Sequence, residues 1–276
     1  MKDILAAQVR DIRESGKTIG FVPTMGALHN GHISLVQRSK KENDITIASI
    51  FVNPTQFNDK DDLKRYPRMP EKDSAMLEAA GCDIVFIPDE KQVYPEPDTR
   101  IFDFGGLEKV MEGKHRPGHF NGVAQVVTRL FDMVKPHRAY FGIKDFQQLV
   151  IIRYVVKTLH YPVEIVACPI IREPDGLAMS SRNMLLSADE RKTALILSKS
   201  LFEARELKSN HDPVEIVSHV TDKINATPGI DLEYFEIVNG STLLPVSAWE
   251  GEDNITGCIA ARVGKIRLID NINFSL

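Results

Sequence analysis

With 276 residues, 43% hydrophobic and 26% charged, the chain has ordinary globular composition and length enough for two domains or one large one. Thirty-four basic against 38 acidic residues give a net charge of −4, so the overall balance calls for neither nucleic acid nor a membrane surface, and local charge must do any anion binding. Three cysteines, Cys82, Cys168 and Cys258, lie far apart among apolar neighbours, which reads as reduced thiols in a cytoplasmic core instead of a disulfide framework or metal cluster.

The chain opens with Ile4, Leu5, Val9 and Ile12 at helical spacing, a polar, amphipathic segment with no apolar run suited to a signal peptide or membrane span. Gly16-Lys17-Thr18 looks like the tail of a Walker A loop. The position five before Gly16 is Asp11, however, and the triplet precedes a strand instead of following one, so we reject that reading. Thr18 to Val22 predicts a buried strand, ended by Pro23, which has no N–H to donate. Met25-Gly26-Ala27-Leu28 predicts a tight apolar turn, and Asn30 an N-cap for a helix through Val36.

His29 and His32 therefore sit where a strand hands over to a helix. Unpaired backbone N–H groups and the positive end of the helix dipole make such a junction an anion site, and Gly31 lets a ligand approach the backbone. A His-x-x-His pair alone is more often an ordinary turn and surface pair. The order strand, glycine turn, His-x-Gly-His, amphipathic helix favours a phosphate site, and it resembles the signature of the nucleotidyltransferase superfamily that includes the class I aminoacyl-tRNA synthetases. That resemblance implies ATP at this corner.

Asp44 to Val52 is a near-continuous apolar run, as expected of a central strand of a parallel sheet covered on both faces. Asn53-Pro54-Thr55-Gln56-Phe57 follows it, at the strand end where open parallel sheets bind ligands, so Asn53 and Gln56 share a rim with His29 and His32. In isolation that segment would read as a capped turn. Residues 58–68 read as a surface loop or flap, 71–80 as a helix and 83–87 as a strand. The alternation predicts an α/β, Rossmann-like parallel sheet, and with no Gly-x-Gly-x-x-Gly present no dinucleotide is implied.

Residues 91–100 read as loop and Leu107 to Met111 as a helix. His115 and His119 are separated by Pro117-Gly118, which breaks any helix that would align them on a metal, so 112–120 reads as a positively charged loop. Val123, Val126, Val127, Leu130, Phe131 and Val134 mark a buried helix, and Ala139 to Phe141 a short strand. At its end Gly142 permits close approach and Lys144 supplies a point charge suited to phosphate. Gln148 falls on the first turns of a helix beginning near Asp145. Val163 to Ile171 is a further strand. The hydroxyl-rich loop Arg172 to Asn183 resembles the mobile Lys-Met-Ser-Lys-Ser loop of the superfamily, with Arg182 in a basic position. Pro174 to Gly176 reads as a hinge, dividing a Rossmann-like nucleotide-binding domain (1–174) from a smaller α+β lid domain (175–276). The lid would hold helices at 188–207 and 214–224, and strands at 232–238, 255–263 and 265–269 joined at Gly264.

Six segments, taken in order, are similar to the pantothenate synthetase family: Pro23 to His32, Phe51 to Phe57, Arg116 to Val123, Lys144 to Leu149, Gly176 to Asn183 and Arg267 to Asn271. The resemblance implies an ATP-dependent condensation of pantoate with β-alanine through an enzyme-bound pantoyl adenylate, releasing AMP and pyrophosphate, with Mg²⁺ accompanying ATP. It also implies a cytoplasmic homodimer with no nucleic-acid or membrane partner. Carried over residue by residue, ATP contacts are implied for Met25, Gly26, Ala27, Leu28, His29, Asn30, Gly31 and His32, then for Gly142, Ile143, Lys144 and Asp145, and for Ile171, Met179, Ser180, Ser181 and Arg182. His32 takes proton-donor duty, with His29 and Lys144 beside it on the phosphates. Gln56 and Gln148 contact pantoate, Gln56 also β-alanine, with Asn53 beside them; no protein residue is assigned to metal. The chain departs from the family at Ile143, where glutamate is usual. Other readings of the same corner are a nucleotidyltransferase that releases a nucleotidylated product and an ATP sensor without catalysis.

Overall fold

The computed structural model describes residues 2–58, 60–251 and 254–275. Short apolar runs alternating with amphipathic segments give a five-stranded parallel sheet of order β3-β2-β1-β4-β5. Its strands are β1 (Ile19–Thr24), β2 (Ile45–Ile50), β3 (Ile84–Phe86), β4 (Arg138–Gly142) and β5 (Glu164–Cys168). Successive side chains of a strand point to opposite faces. Thus Ile19, Phe21 and Ile47 enter one core, beneath α1 (Lys2–Glu14), α7 (His119–Val134) and α8 (Phe146–Thr158), while Val22, Ala48 and Ile50 enter another, beneath α2 (Asn30–Glu42) and α4 (Pro70–Ala79). The chain moves outward from β1 through β2 to β3, then returns to lay β4 on the other side of β1. The β1/β4 seam is therefore the topological switch point, where such sheets bind ligands.

Several expectations need correction. Pro23 does not end β1; it lies within the strand, opposite Ser49 of β2. The β1–β4 ladder stops at Phe21, so Pro23 has a partner strand on one side only, which tolerates a residue without a donor. Ile4 is 64% exposed, and α1 buries Leu5 and Val9 instead. Within the expected loop 58–68, Lys60–Arg65 forms a helix, α3, and at the start of the expected loop 91–100, Glu90–Val93 forms α5 behind an Asp89–Gln92 capping box. The helix expected over Leu107 to Met111 appears later, as α6 (Met111–His115), because tertiary contacts of Met111 and Glu112 decide where it forms.

Beyond Leu177 a second core is built from α9 (Ala188–Leu207), α10 (Pro213–Asn225) and an antiparallel sheet β6-β7-β8 (Ile230–Asn239, Ile255–Val263, Ile266–Asn273), with Gly264-Lys265 turning the last hairpin. Polar ties join it to the first. Glu112, 7% exposed, takes both Arg267 guanidinium nitrogens at 2.8 and 2.6 Å and the Tyr234 hydroxyl at 2.8 Å. Such a buried carboxylate is tolerated because a guanidinium pairs with it and both oxygens accept hydrogen bonds. Asp270, also buried, holds Arg172 through two bonds at 2.6 and 3.0 Å.

Candidate active site

The turn after β1 is tied down from a distance. The amides of Ala27 and Leu28 donate to the two oxygens of Asp73, each at 2.8 Å, and Asp73 is 1% exposed in the first turn of α4. Nothing in the sequence singles out Asp73, since an acidic residue in a helix's first turn is already explained by the dipole.

The N-cap of α2 is His29, not Asn30. His29 is extended, with φ −142 and ψ 174, and its Nδ1 accepts the Gly31 N–H at 3.2 Å; the His29 N–H in turn donates to Nδ1 of His32 at 3.3 Å. Two imidazoles thus form a reciprocal capping box, a role usually taken by a hydroxyl and a carboxylate. Asn30 is exposed at the first helical position. The ring centroids lie 4.1 Å apart. Because each Nδ1 accepts, each neutral ring carries its proton on Nε2 and presents a single N–H donor outward. Burial, then the neighbouring Lys144, pushes His29 down to about 4. Burial, His29 and Lys144 push His32 to about 3. Gly31 has a nearer reason than ligand approach: a Cβ there would stand 2.9 Å from Cε1 and Nδ1 of His29, so only glycine lets that ring fold back over the helix.

At the end of β2, Asn53 is 1% exposed and all its polar atoms have protein partners. Its Nδ2 donates to Gln56 Oε1 and to the Gly122 carbonyl, both at 3.1 Å, and its Oδ1 accepts from the Tyr94 hydroxyl at 2.8 Å. It is the cap of the short 3₁₀ turn Pro54–Gln56 and orients Gln56, whose side-chain Nε2 meets Met25 Sδ at 3.0 Å. His119 Nδ1 donates to the Gln56 carbonyl at 2.8 Å. Helix α7 lies so close that a Cβ on Gly122 would be 2.4 Å from the Thr55 carbonyl oxygen.

Across the switch point, β4 ends at Gly142 and the turn after it carries Lys144 and Asp145, with Gln148 in the first turn of α8. Asn271 of β8 donates to the carbonyls of Ile143 and Lys144 at 2.7 and 2.9 Å. Loop 179–182 closes the far side, where Ser180 caps the 3₁₀ turn Ser181–Leu185. Arg182 pairs with Asp62 of α3 at 3.0 Å, and Tyr66 meets Ser181 at 3.4 Å.

One cleft between these strand ends gathers most of the expected residues: Met25, His29, Gly31 and His32 from the β1 side; Asn53 and Gln56 from β2; Gly142, Lys144, Asp145 and Gln148 from β4; and Ile171 and Met179 to Arg182 from the β5 loop. Five do not line it. Gly26 faces Asp73 and Ile50; Ala27, Leu28 and Asn30 line a neighbouring groove on the outer side of Ser180 and Ser181. Ile143 packs against the first core, its N–H donating to Cys168 O at 2.9 Å. Sequence reading missed the apolar wall from α7 (Val123, Val126, Val127, Leu130) and Tyr66, Phe51 and Tyr140. The α7 residues carried a signal, since their spacing already marked a buried face.

Paired imidazoles and a lysine from the strand ends on either side of the switch point of a parallel sheet define an α/β protein with a polar cleft at the place where such sheets bind ligands. Residues 2–273 match the family described as Pantoate-beta-alanine ligase. A curated pantothenate synthetase of Porphyromonas gingivalis is 57% identical over 266 residues, covering 96% of this chain and 95% of that one. The crystal structure of pantothenate synthetase from Thermus thermophilus superposes with a TM-score of 0.91 at 44% identity, covering 97% and 98% of the two chains. That of the pantoate-beta-alanine ligase from Francisella tularensis, complexed with beta-gamma ATP and beta-alanine, gives a TM-score of 0.81 at 38% identity, covering 98% and 96%. The chain belongs to the pantoate–β-alanine ligase family.

Proposed function

We propose that this enzyme condenses pantoate with β-alanine at the expense of ATP, through a pantoyl adenylate held in the cleft, releasing pyrophosphate and then AMP. The observation that carries the reading is the placement of His29 and His32 on one side of the switch point and Lys144 on the other, with Gln56 from the turn after β2 and Gln148 from the first turn of α8 lining the same cleft. A carboxylate is a poor acylating agent, so it first attacks the α-phosphorus; a carboxyl–phosphorus bond forms and pyrophosphate leaves. Negative charge builds on the phosphoryl oxygens, where the Nε2–H groups of His29 and His32 and the Lys144 ammonium would donate. Each such donor is worth about 10²- to 10³-fold in rate. As neutral donors the imidazoles need no reorganisation; His32, to which the family resemblance gives proton-donor duty, acts in this scheme as a hydrogen-bond donor that keeps its Nε2 proton. Gln56 and Gln148 orient pantoate, and Met179 to Arg182 fold toward the phosphates once Arg182 leaves Asp62. The second step needs a free amine held against a mixed anhydride, chiefly positioning and exclusion of water.

Mg²⁺ arrives with the triphosphate in this reading. Asp145, beside Lys144 in the cleft, is the carboxylate whose chemistry would suit the ion, which when bound would offset charge on the phosphates. We further propose a cytoplasmic homodimer, supported by the family resemblance and three free cysteines. A lid domain over 175–276 is supported by a second core drawn only from residues at and beyond Leu177.

The test is release of pyrophosphate and AMP from ATP and Mg²⁺, with pantoate alone and then with β-alanine. Pantoate-dependent pyrophosphate followed by sustained AMP only with β-alanine is the expected pattern. ATP binding without pyrophosphate would leave a sensor, and a nucleotidylated product with no AMP would leave a transferase.

A further inference from the structure

The Pro-rich segment after α5 carries no motif, yet it is clipped to the back of the cleft wall. Arg129 of α7 donates through Nε to Asp98 Oδ2 at 2.6 Å and through Nη1 to the Val93 carbonyl at 3.1 Å. Asp98 is buried there and takes Arg100 as well. The Arg129 guanidinium also lies 5.1 Å from the centroid of the Tyr94 ring, a cation–π contact. Tyr94 is thereby fixed at the end of α5, its ring centroid 6.2 Å from that of Phe51, which lines the cleft. Tyr94 itself does not line it. Its hydroxyl instead donates to Asn53 Oδ1 at 2.8 Å.

Donor and acceptor chemistry gives this contact a direction. The Gly122 carbonyl can only accept, so the end of the Asn53 amide that meets it at 3.1 Å is the nitrogen. The oxygen end accepts from the Thr55 hydroxyl at 3.1 Å and the Thr55 N–H at 3.4 Å. Asn53 therefore offers Tyr94 an acceptor and Gln56 a donor. Burial raises the Tyr94 phenol above its ordinary range and keeps its proton in place for Asn53. The second Asn53 N–H goes to Gln56 Oε1 at 3.1 Å, which leaves the Gln56 nitrogen as the free end of that amide. Among the described residues only the sulfur of Met25, a weak acceptor, meets it. One chain of bonds from Tyr94 through Asn53 thus makes Gln56 a donor toward the cleft. A donor suits the oxygens of an anionic substrate, whereas the reversed amide would oppose them with its own lone pairs.

We propose that Tyr94 is a positioning residue for the acid substrate: acting through Asn53, it holds the Gln56 amide with its nitrogen toward the substrate's oxygens. The inference rests on the condensation reading above, in which Gln56 contacts the acid. Tyr94 touches no reacting atom, so its effect falls on binding of the acid and leaves the nucleotide alone.

The experiment is a double-mutant cycle of Tyr94→Phe and Gln56→Ala, read as KM for pantoate and for ATP in pantoate-dependent pyrophosphate release. Tyr94→Phe keeps the ring beneath Arg129 and beside Phe51 and removes a single donor; urea midpoints check that it folds. It should raise KM for pantoate about fivefold to tenfold, as expected for one buried hydrogen bond, with KM for ATP within about twofold. Gln56→Ala should raise KM for pantoate about 10- to 10²-fold. Adding Tyr94→Phe to Gln56→Ala should then change it by less than about twofold, because the group that Tyr94 positions is gone. Among the described residues no hydrogen bond joins Tyr94 to Gln56 directly, so a merely structural role for Tyr94 would give factors that multiply. Gln56→Glu puts an acceptor where the donor stood and should weaken pantoate more than Gln56→Ala does; it also takes the place of Gln56→Ala in the cycle should that variant fail to fold. An unchanged KM for pantoate in Tyr94→Phe, an equal rise for ATP, factors that multiply, or a Gln56→Glu enzyme that binds pantoate as well as wild type overturns the assignment. With an active wild type those outcomes strike this inference alone, whereas absence of pantoate-dependent pyrophosphate from wild type strikes the condensation reading and this inference with it.

Discussion

Asn271 holds the Lys144 carbonyl at 2.9 Å and the Ile143 carbonyl at 2.7 Å, so one side-chain amide of β8 fixes the turn that aims the cleft's lysine. Asn271 is itself 4% exposed, and removing it leaves two backbone acceptors short of a partner. Asn271→Ala should therefore destabilise by about 1–3 kcal/mol and lower kcat for pyrophosphate release more than tenfold. Steady-state kinetics beside urea unfolding checks both; a purely structural role for Asn271 would lower stability and leave kcat alone.

His29 and His32 cap the helix and face the cleft, and the two duties separate by substitution. His32→Ala should cut adenylation about 10²- to 10³-fold while costing about 1 kcal/mol as a lost cap. His32→Asn keeps an acceptor for the His29 amide and should recover most of the stability with little of the rate. Turnover near wild type in either variant would remove His32 from the chemistry.

Gly122 tests the contact between α7 and the Pro54–Gln56 turn. With 2.4 Å to the Thr55 oxygen, Gly122→Ala must push that turn and Gln56 outward. Overpacking of this kind costs about 1–3 kcal/mol. The kinetic signature should be a higher KM for pantoate with KM for ATP little changed, because Gln56 moves and the histidine junction does not.

Histidines predict the direction of the pH dependence. His29 and His119 fall to about 4 and His32 to about 3 in the folded chain, against 6.5 when unfolded. Between those values the unfolded chain binds more protons, so this stability is complete above pH 6.5 and drains as pH falls toward 4. For His119, which is 5% exposed, the slope approaches about 1.4 kcal/mol per pH unit. Urea midpoints at pH 7 and 5 should differ, and His119→Gln should shrink the difference; identical slopes in the two proteins would refute the buried neutral ring.

Much of this was legible in the sequence because periodicity and strand–helix order are local signals. They gave the parallel sheet and the positions of His29, His32, Lys144 and Gln148 at strand ends. What stayed hidden depends on partners far away in sequence. Asp73 means nothing until the turn at Ala27 lies against it, and Asn30 looks like the cap until both rings fold back over Gly31. Pro23 reads as a stop because the early end of the β1–β4 ladder cannot be seen from one strand. The same holds for α3, whose Asp62 meets Arg182 some 120 positions on.

The bonds from Asn271 to the Lys144 turn and from Asp270 to Arg172 close loops of 127 and 98 residues. Closing a loop of that span carries an entropic cost like that of the β1–β4 pairing itself, which joins Gly20 to Arg138. The cleft is accordingly held by contacts that bridge the two cores. A molecule whose second core has come loose would keep its β1–β5 register and most of its circular dichroism, yet lose its grip on nucleotide. Ligand bound in the cleft would clamp both cores at once and make them melt as a single unit.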